Sequence, residues 1–223
     1  MTKNKDIHAV IFDLDQTLLD RESSLEKFLD WQINFFQIVP QQKKKAFINR
    51  FMKLDCHGSV WKDSVYTQLI KEFSLTQSVD TLLRSYIEDF NQFATAFEGV
   101  ELAIKTLYQQ GYRLGLISNG RSPFQENNFK ALGLNEFFSS VLVSEAIGIR
   151  KPDPEIFNRS CLQLNTAPEH CVFIGDNEIA DIQGAHKAGM KTIYFNQNPN
   201  KRSQLSNENL HYFKDLDLII SNL

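Results

Sequence analysis

From Glu98 onward the chain alternates between short apolar, β-branched runs and amphipathic segments closed by glycine. That rhythm restricts the fold more than any other feature. Segments 113–117, 141–143, 171–174 and 192–195 read as strands. Segments 101–110, 124–132, 154–164 and 179–188 read as helices, with Gly111, Gly133 and Gly189 as their stops. Strands separated by single helices pair in parallel through crossovers. The predicted class is therefore α/β, with a doubly wound, Rossmann-like parallel sheet. After the last of these strands, 196–209 is a polar tail and 215–223 reads as a short helix.

One strand lies far from the others. Ala9-Val10-Ile11-Phe12 is an unbroken apolar run, and the chain beyond its polar end is helical for a long way. Segments 24–37, 41–54, 60–73 and 77–94 carry apolar residues at helical spacing; in the second, Phe47, Phe51 and Leu54 oppose Lys43, Lys44 and Lys45. Consecutive helices joined by short polar links pack as a bundle. In it Trp31, Trp61 and the phenylalanines read as core, and the lysine run as the wet face. The expected organisation is an α/β core domain, 1–19 and 95–223, interrupted by an inserted α-helical cap domain, 20–94.

Composition excludes several classes of partner. With 42% apolar and 23% charged residues the chain has the balance of an ordinary globular protein. A net charge of −3 gives no electrostatic ground for binding nucleic acid or an anionic membrane surface. No apolar run approaches the ~20 residues of a membrane span, and Met1 to Asp6 lacks the apolar core of an export signal. Cys56, Cys161 and Cys171 are too scattered for a disulfide framework or a metal cluster, and are read as small core residues. The expectation is a cytoplasmic monomer or weak homodimer.

Three predicted strands end in polar residues: Asp13 and Asp15, Ser118 and Asn119, and Asp176. Residues two apart on an extended chain point the same way, so Asp13 and Asp15 start on one side. Like charges so placed need a cation, a lysine or a shared proton. In open α/β sheets the ligand crevice lies at the carboxyl ends of the strands, where such residues converge. Lys151, before a helix on that edge, and Asp181, five residues beyond Asp176, join the set. Carboxylates, a lysine and small polar donors suit a hard divalent cation together with an anionic substrate. Mg²⁺ fits, because few carboxylates plus substrate phosphate and water usually hold it.

Four segments in order, Phe12-Asp13-Leu14-Asp15-Gln16-Thr17-Leu18, Ile117-Ser118-Asn119-Gly120, Lys151-Pro152-Asp153-Pro154 and Gly175-Asp176-Asn177-Glu178-Ile179-Ala180-Asp181, carry a resemblance. The chain resembles the haloacid-dehalogenase-like hydrolase superfamily, in its helical-cap phosphatase branch. The resemblance implies a Mg²⁺-dependent phosphatase acting on a small phosphorylated substrate. Asp13 is then the nucleophile that accepts phosphoryl, and Asp15 the general acid and base. Ser118, Asn119 and Lys151 bind the phosphoryl group. Asp13, Asp176 and the Asp15 backbone carbonyl ligate the metal, with Asp181 in the outer shell. Gln16 stands where the family often has glycine, which leaves the shape of that turn open.

Alternative readings are a phosphosugar mutase, a 2-haloacid dehalogenase, or a phosphoacceptor switch without turnover. Dehalogenases typically lack the second aspartate of the first motif, and receiver switches lack a large insertion after the first strand. His57, Lys62, Asp63 and Arg121 are weaker candidates for substrate contact and are left out of the catalytic set.

Overall fold

The computed structural model describes residues 6–223, so the reading of the N-terminal segment falls, Asp6 apart, outside the described residues. The strands are β1 (Ala9–Phe12), β2 (Arg113–Ser118), β3 (Phe138–Val143), β4 (Cys171–Gly175), β5 (Lys191–Phe195) and β6 (Glu208–Leu210). The helices are α1 (Arg21–Phe36), α2 (Gln41–Asp55), α3 (Lys62–Phe73), α4 (Val79–Asp89), α5 (Val100–Gln109), α6 (Phe124–Ala131), α7 (Ser144–Ile147), α8 (Pro154–Gln163), α9 (Gly184–Lys187) and α10 (Leu216–Ser221). By internal contacts the chain divides into two compact units, Met1–Asp20 with Thr95–Leu223, and Arg21–Ala94. No helix among the described residues is long and apolar enough to cross a membrane.

The first unit is built on a six-stranded sheet of order β3-β2-β1-β4-β5-β6, parallel throughout. The doubly wound α/β fold expected from the sequence is therefore present. β2 and β3 extend to one side of β1, and β4, β5 and β6 to the other. Order reverses at β1, which makes its carboxyl end the crevice of the sheet. The register pairs Phe12 with Leu116 on one side and Ile174 on the other. The Asp13 N–H then donates to the Ile174 carbonyl at 2.9 Å, carrying the ladder one residue past the strand.

β1 and β4 are buried along their whole length because both faces of the sheet are covered. On one face Ile11 and Phe173 pack with Phe157 of α8, and the two phenylalanine rings meet edge to face at 5.0 Å. On the other, Phe12 reaches Phe138 at 6.1 Å, which in turn meets Phe129 of α6 at 4.9 Å. β6 begins in the last two residues of the segment read as a polar tail and ends one residue beyond it. It is a short edge strand, held through Asn207, whose side-chain carbonyl accepts the Thr192 N–H at 2.8 Å.

The expected helix at 179–188 is not continuous. Glu178–Gln183 winds as a π-helix before α9 begins. Asn177 Oδ1 accepts the N–H groups of both Ile179 and Ala180, and the Asp181 carboxylate turns back onto the Asn177 N–H at 3.0 Å. These side-chain bonds at the start of the helix favour the wider turn, a feature frequent at functional sites.

The second unit packs α1 to α4 around Phe28, Phe51, Tyr66 and Tyr86. The segment expected as one helix to 94 leaves α-geometry at Asp89, and Phe90–Phe93 forms a 3₁₀ turn. A polar cluster sits within this unit. Arg21 makes two 2.9 Å bonds to Asp55, and Lys62 lies 2.5 Å from the same carboxylate. Tyr66 donates to Gln32 at 2.8 Å, and Gln32 to the Leu82 carbonyl at 3.0 Å. Two sequence expectations are corrected. Cys56 is exposed, at a left-handed residue that ends α2, while Cys161 and Cys171 are buried free thiols. Phe35 is also exposed, its ring stacked on Trp31 at 5.0 Å.

Candidate active site

The carboxyl edge of the sheet gathers side chains from four segments. Asp13 follows β1, Ser118 and Asn119 close β2, Asp176 follows β4, and Asp181 lies one π-turn later. Lys151 comes in from the loop before α8, across a cis peptide bond to Pro152. Its ammonium, 2% exposed, sits 2.5 Å from Asp13 Oδ1 and 2.7 Å from Asp181 Oδ1. The ring of Phe173 lies beneath it at 5.2 Å. Carboxylate oxygens of Asp13, Asp176 and Asp181 lie within 4.8 Å of one another.

The backbone is shaped to bring these groups together. A Cβ on Gly175 would run into the Asp181 carboxylate, so glycine at the end of β4 lets that side chain fold over the strand. A Cβ on Gly184 would lie 2.8 Å from the Phe157 ring and 2.9 Å from the Pro152 Cα. Its absence lets α9 approach the loop that carries Lys151. The Asn119 side chain grips the same loop from the other side: Nδ2 donates to the Lys151 carbonyl at 2.8 Å, and Oδ1 accepts the Lys151 N–H at 2.9 Å. Asn119 thus uses its side chain on the loop that carries Lys151. Ser118 is buried at the end of β2.

Asp15 is set apart from the carboxylate cluster. It is half-buried, and its Oδ2 accepts a 2.7 Å bond from Gln125 Nε2 on α6. Gln16 takes φ +58°, so the left-handed turn a glycine would accept is made here with a side chain. Such a conformation costs a non-glycine residue roughly 1–2 kcal/mol. Among the weaker sequence candidates, Arg121 is exposed beside the Ser118 loop. His57 and Asp63 are exposed on the helical unit, whereas Lys62 is buried in its polar cluster. Gln125 is the residue that sequence reasoning passed over. A glutamine near a helix start has no signature, and only the fold brings it to Asp15.

Charge in the site is unbalanced. Burial pushes the Asp13 carboxyl well above its usual range; Lys151 opposes this, while Asp181 and Asp176 add to it. Burial, then Asp181, push Asp176 up to about 7. Burial works against the Lys151 ammonium, yet Asp13 and Asp181 hold its pKa above the ordinary lysine value. One ammonium against three carboxylates leaves excess negative charge. The donors are all carboxylate oxygens, which suits a hard cation such as Mg²⁺ and gives a softer metal no preferred ligand.

Comparisons with known proteins agree with this geometry. The sequence model for haloacid dehalogenase-like hydrolases matches residues 10–195. A glyceraldehyde 3-phosphate phosphatase of Pyrococcus furiosus is 26% identical over 238 aligned positions, covering 97% of this chain and 90% of the relative. A pyrophosphatase, PpaX, of Bacillus anthracis is also 26% identical, over 97% of this chain and 98% of its own. Among solved structures, Bacillus subtilis YfnB, described as a HAD-hydrolase and bound to magnesium, shares the fold with a TM-score of 0.78. That likeness has 24% identity and covers 96% of this chain and 98% of that one.

Proposed function

The chain belongs to the haloacid dehalogenase-like hydrolases, and from that premise we propose that it is a Mg²⁺-dependent phosphatase of small phosphomonoesters, working through a phosphoaspartyl intermediate on Asp13. The observation that carries this reading is a buried aspartate paired with Lys151, with a second aspartate, Asp15, two residues on and outside the cluster. Displacing a halide needs no acid at that place, whereas expelling an alkoxide does.

Asp13 and Asp176, with the backbone carbonyl of Asp15, would hold the cation, and Asp181, paired with Lys151, would stand in its outer shell. When bound it would neutralise phosphate charge that otherwise repels an attacking carboxylate. The remaining work belongs to the chain. An Asp13 carboxylate oxygen attacks phosphorus and forms the acyl phosphate as the bond to the leaving oxygen breaks. Asp15 gives its proton to that oxygen, then takes one from the water that attacks the phosphoaspartate. Lys151, Ser118 and the Asn119 N–H donate to the phosphoryl oxygens as their charge builds. Phosphate leaves, and Asp13 is restored. The reaction belongs in the cytoplasm, where Cys161 and Cys171, with sulfurs 3.5 Å apart, stay reduced. Selectivity for the leaving group is assigned to the helical insertion, 20–94, which contains none of the motif residues.

The test is release of inorganic phosphate from sugar phosphates, nucleotides, glyceraldehyde 3-phosphate and pyrophosphate, with Mg²⁺ or with chelator. The last two substrates are those named in the relatives. Phosphate release that needs Mg²⁺ and vanishes in Asp13→Asn is the expected result. Full activity after metal stripping, or release only of halide from 2-haloacids, would refute the reading.

A further inference from the structure

Gln125 lies 110 residues beyond Asp15, yet its side-chain amide makes a 2.7 Å bond to that carboxylate. It is 3% exposed, in the first turn of α6, where its own N–H donates to the Arg121 carbonyl at 3.0 Å. The approach is built into the backbone. A Cβ on Gly120 would stand 2.6 Å from Gln125 Cγ, so only a glycine in that loop leaves room for the side chain to cross. The amide is also oriented. Asn128 Nδ2 donates to Gln125 Oε1 at 3.4 Å, a long bond but one that turns the carbonyl away and the NH₂ toward Asp15. Asn128 is itself buried.

We propose that Gln125 is a positioning residue for Asp15: its amide engages Oδ2, fixes the carboxylate in one orientation, and leaves Oδ1 to carry the transferred proton. This rests on the reading of Asp15 as the acid and base of a phosphatase. A carboxylate on a turn, half open to water, has freedom about both χ angles. A single amide donor removes that freedom without competing for the proton, because a neutral carboxamide neither gives up nor takes a proton at neutral pH. The geometry of proton transfer is sensitive to displacements of an ångström or less.

The test compares wild type with Gln125→Met, which keeps the length of the side chain and loses the donor, and Gln125→Glu, which keeps its shape and replaces the donor by an oxygen. Crystal structures report the Asp15 conformer, and thermal midpoints report folding; if one variant fails to fold, the other carries the comparison. In wild type Asp15 should hold one conformer against Gln125, and in the variants it should leave it. The first turnover should fall about tenfold or more on an alkyl ester such as glycerol 3-phosphate, toward the ~10²–10⁴-fold scale of acid–base catalysis. The first-turnover burst of nitrophenol from 4-nitrophenyl phosphate, whose leaving group needs no proton, should fall no more than a few-fold. Later turnovers should slow, because hydrolysis of the phosphoaspartate needs Asp15 as base. Equal losses of the first turnover on both esters, or an Asp15 that does not move, would overturn the proposal. If wild type released phosphate from no ester, the phosphatase reading would fall. The Asp15 conformer would then decide alone, an unmoved carboxylate counting against the positioning role and a released one for it.

Discussion

Lys151 shows how much a single side chain can carry. It has the only ammonium in contact with both Asp13 and Asp181 among the described residues, and it is buried where an unpaired charge is costly. Removing one partner of a buried ion pair typically costs about 3–5 kcal/mol, because the other is left uncompensated. Lys151→Met should therefore lower the thermal midpoint of the metal-free protein markedly. The loss has a specific remedy, since the three carboxylates it leaves behind form a better cation site. Millimolar Mg²⁺ should raise the midpoint of Lys151→Met by more than it raises that of wild type. A smaller rise in the variant would mean that Lys151 supports the site by packing on Phe173 rather than by charge.

At the scale of elements, legibility follows from how each one is covered. β1 and β4 were readable because burial on both faces requires an unbroken apolar run. β6 was not, since an edge strand is held by one neighbour and by the Asn207 side chain, neither of which leaves a hydrophobic pattern. The site was visible as polar residues at strand ends, because parallel topology sends those ends to one edge. The contacts of Gln125 with Asp15, and of Asp55 with Arg21 and Lys62, depend on tertiary proximity and had no local signature. The Asp55 cluster makes its own prediction. It joins α1 and α2 to the first residue of α3, so Asp55→Ala would leave two buried cations facing each other. A loss of about 3–5 kcal/mol is expected, concentrated in the unit 21–94. Amide hydrogen exchange should speed up across α1 to α3 while β1 and β4 keep their protection. Uniform acceleration over the whole chain would show that the two units do not open separately.

For the whole molecule, the titrating groups of the two units pull stability in opposite directions with pH. Burial raises the Asp55 carboxyl, but Arg21 and Lys62 more than reverse this and leave it below its usual value of 3.8. Its contribution is present above that pH and is lost only as the pH falls further. Asp176, pushed up to about 7, and Asp13, also raised, behave in the reverse sense. Between roughly pH 4 and 7 the folded protein holds a proton on Asp176 that the unfolded chain has already released, and Asp13 acts in the same direction, so stability falls as pH rises. The metal-free protein should be most stable near pH 4–5 and lose a few kcal/mol toward pH 8. A divalent cation inverts that slope, because it binds the deprotonated carboxylates and must displace their protons. The rise in thermal midpoint caused by Mg²⁺ should be large at pH 8 and fade below pH 6. Calorimetric titration at pH 6.5 in two buffers of different ionisation enthalpy should detect proton release. Asp176→Asn supplies the control: without a titrating carboxyl there, the metal-free midpoint should decline less between pH 5 and 8, and the Mg²⁺ effect should shrink at every pH. A metal-free midpoint that rises steadily from pH 5 to 8, with a Mg²⁺ increment independent of pH, would mean that these carboxylates are already ionised in the folded protein and that the crowded site is not where its charge is regulated.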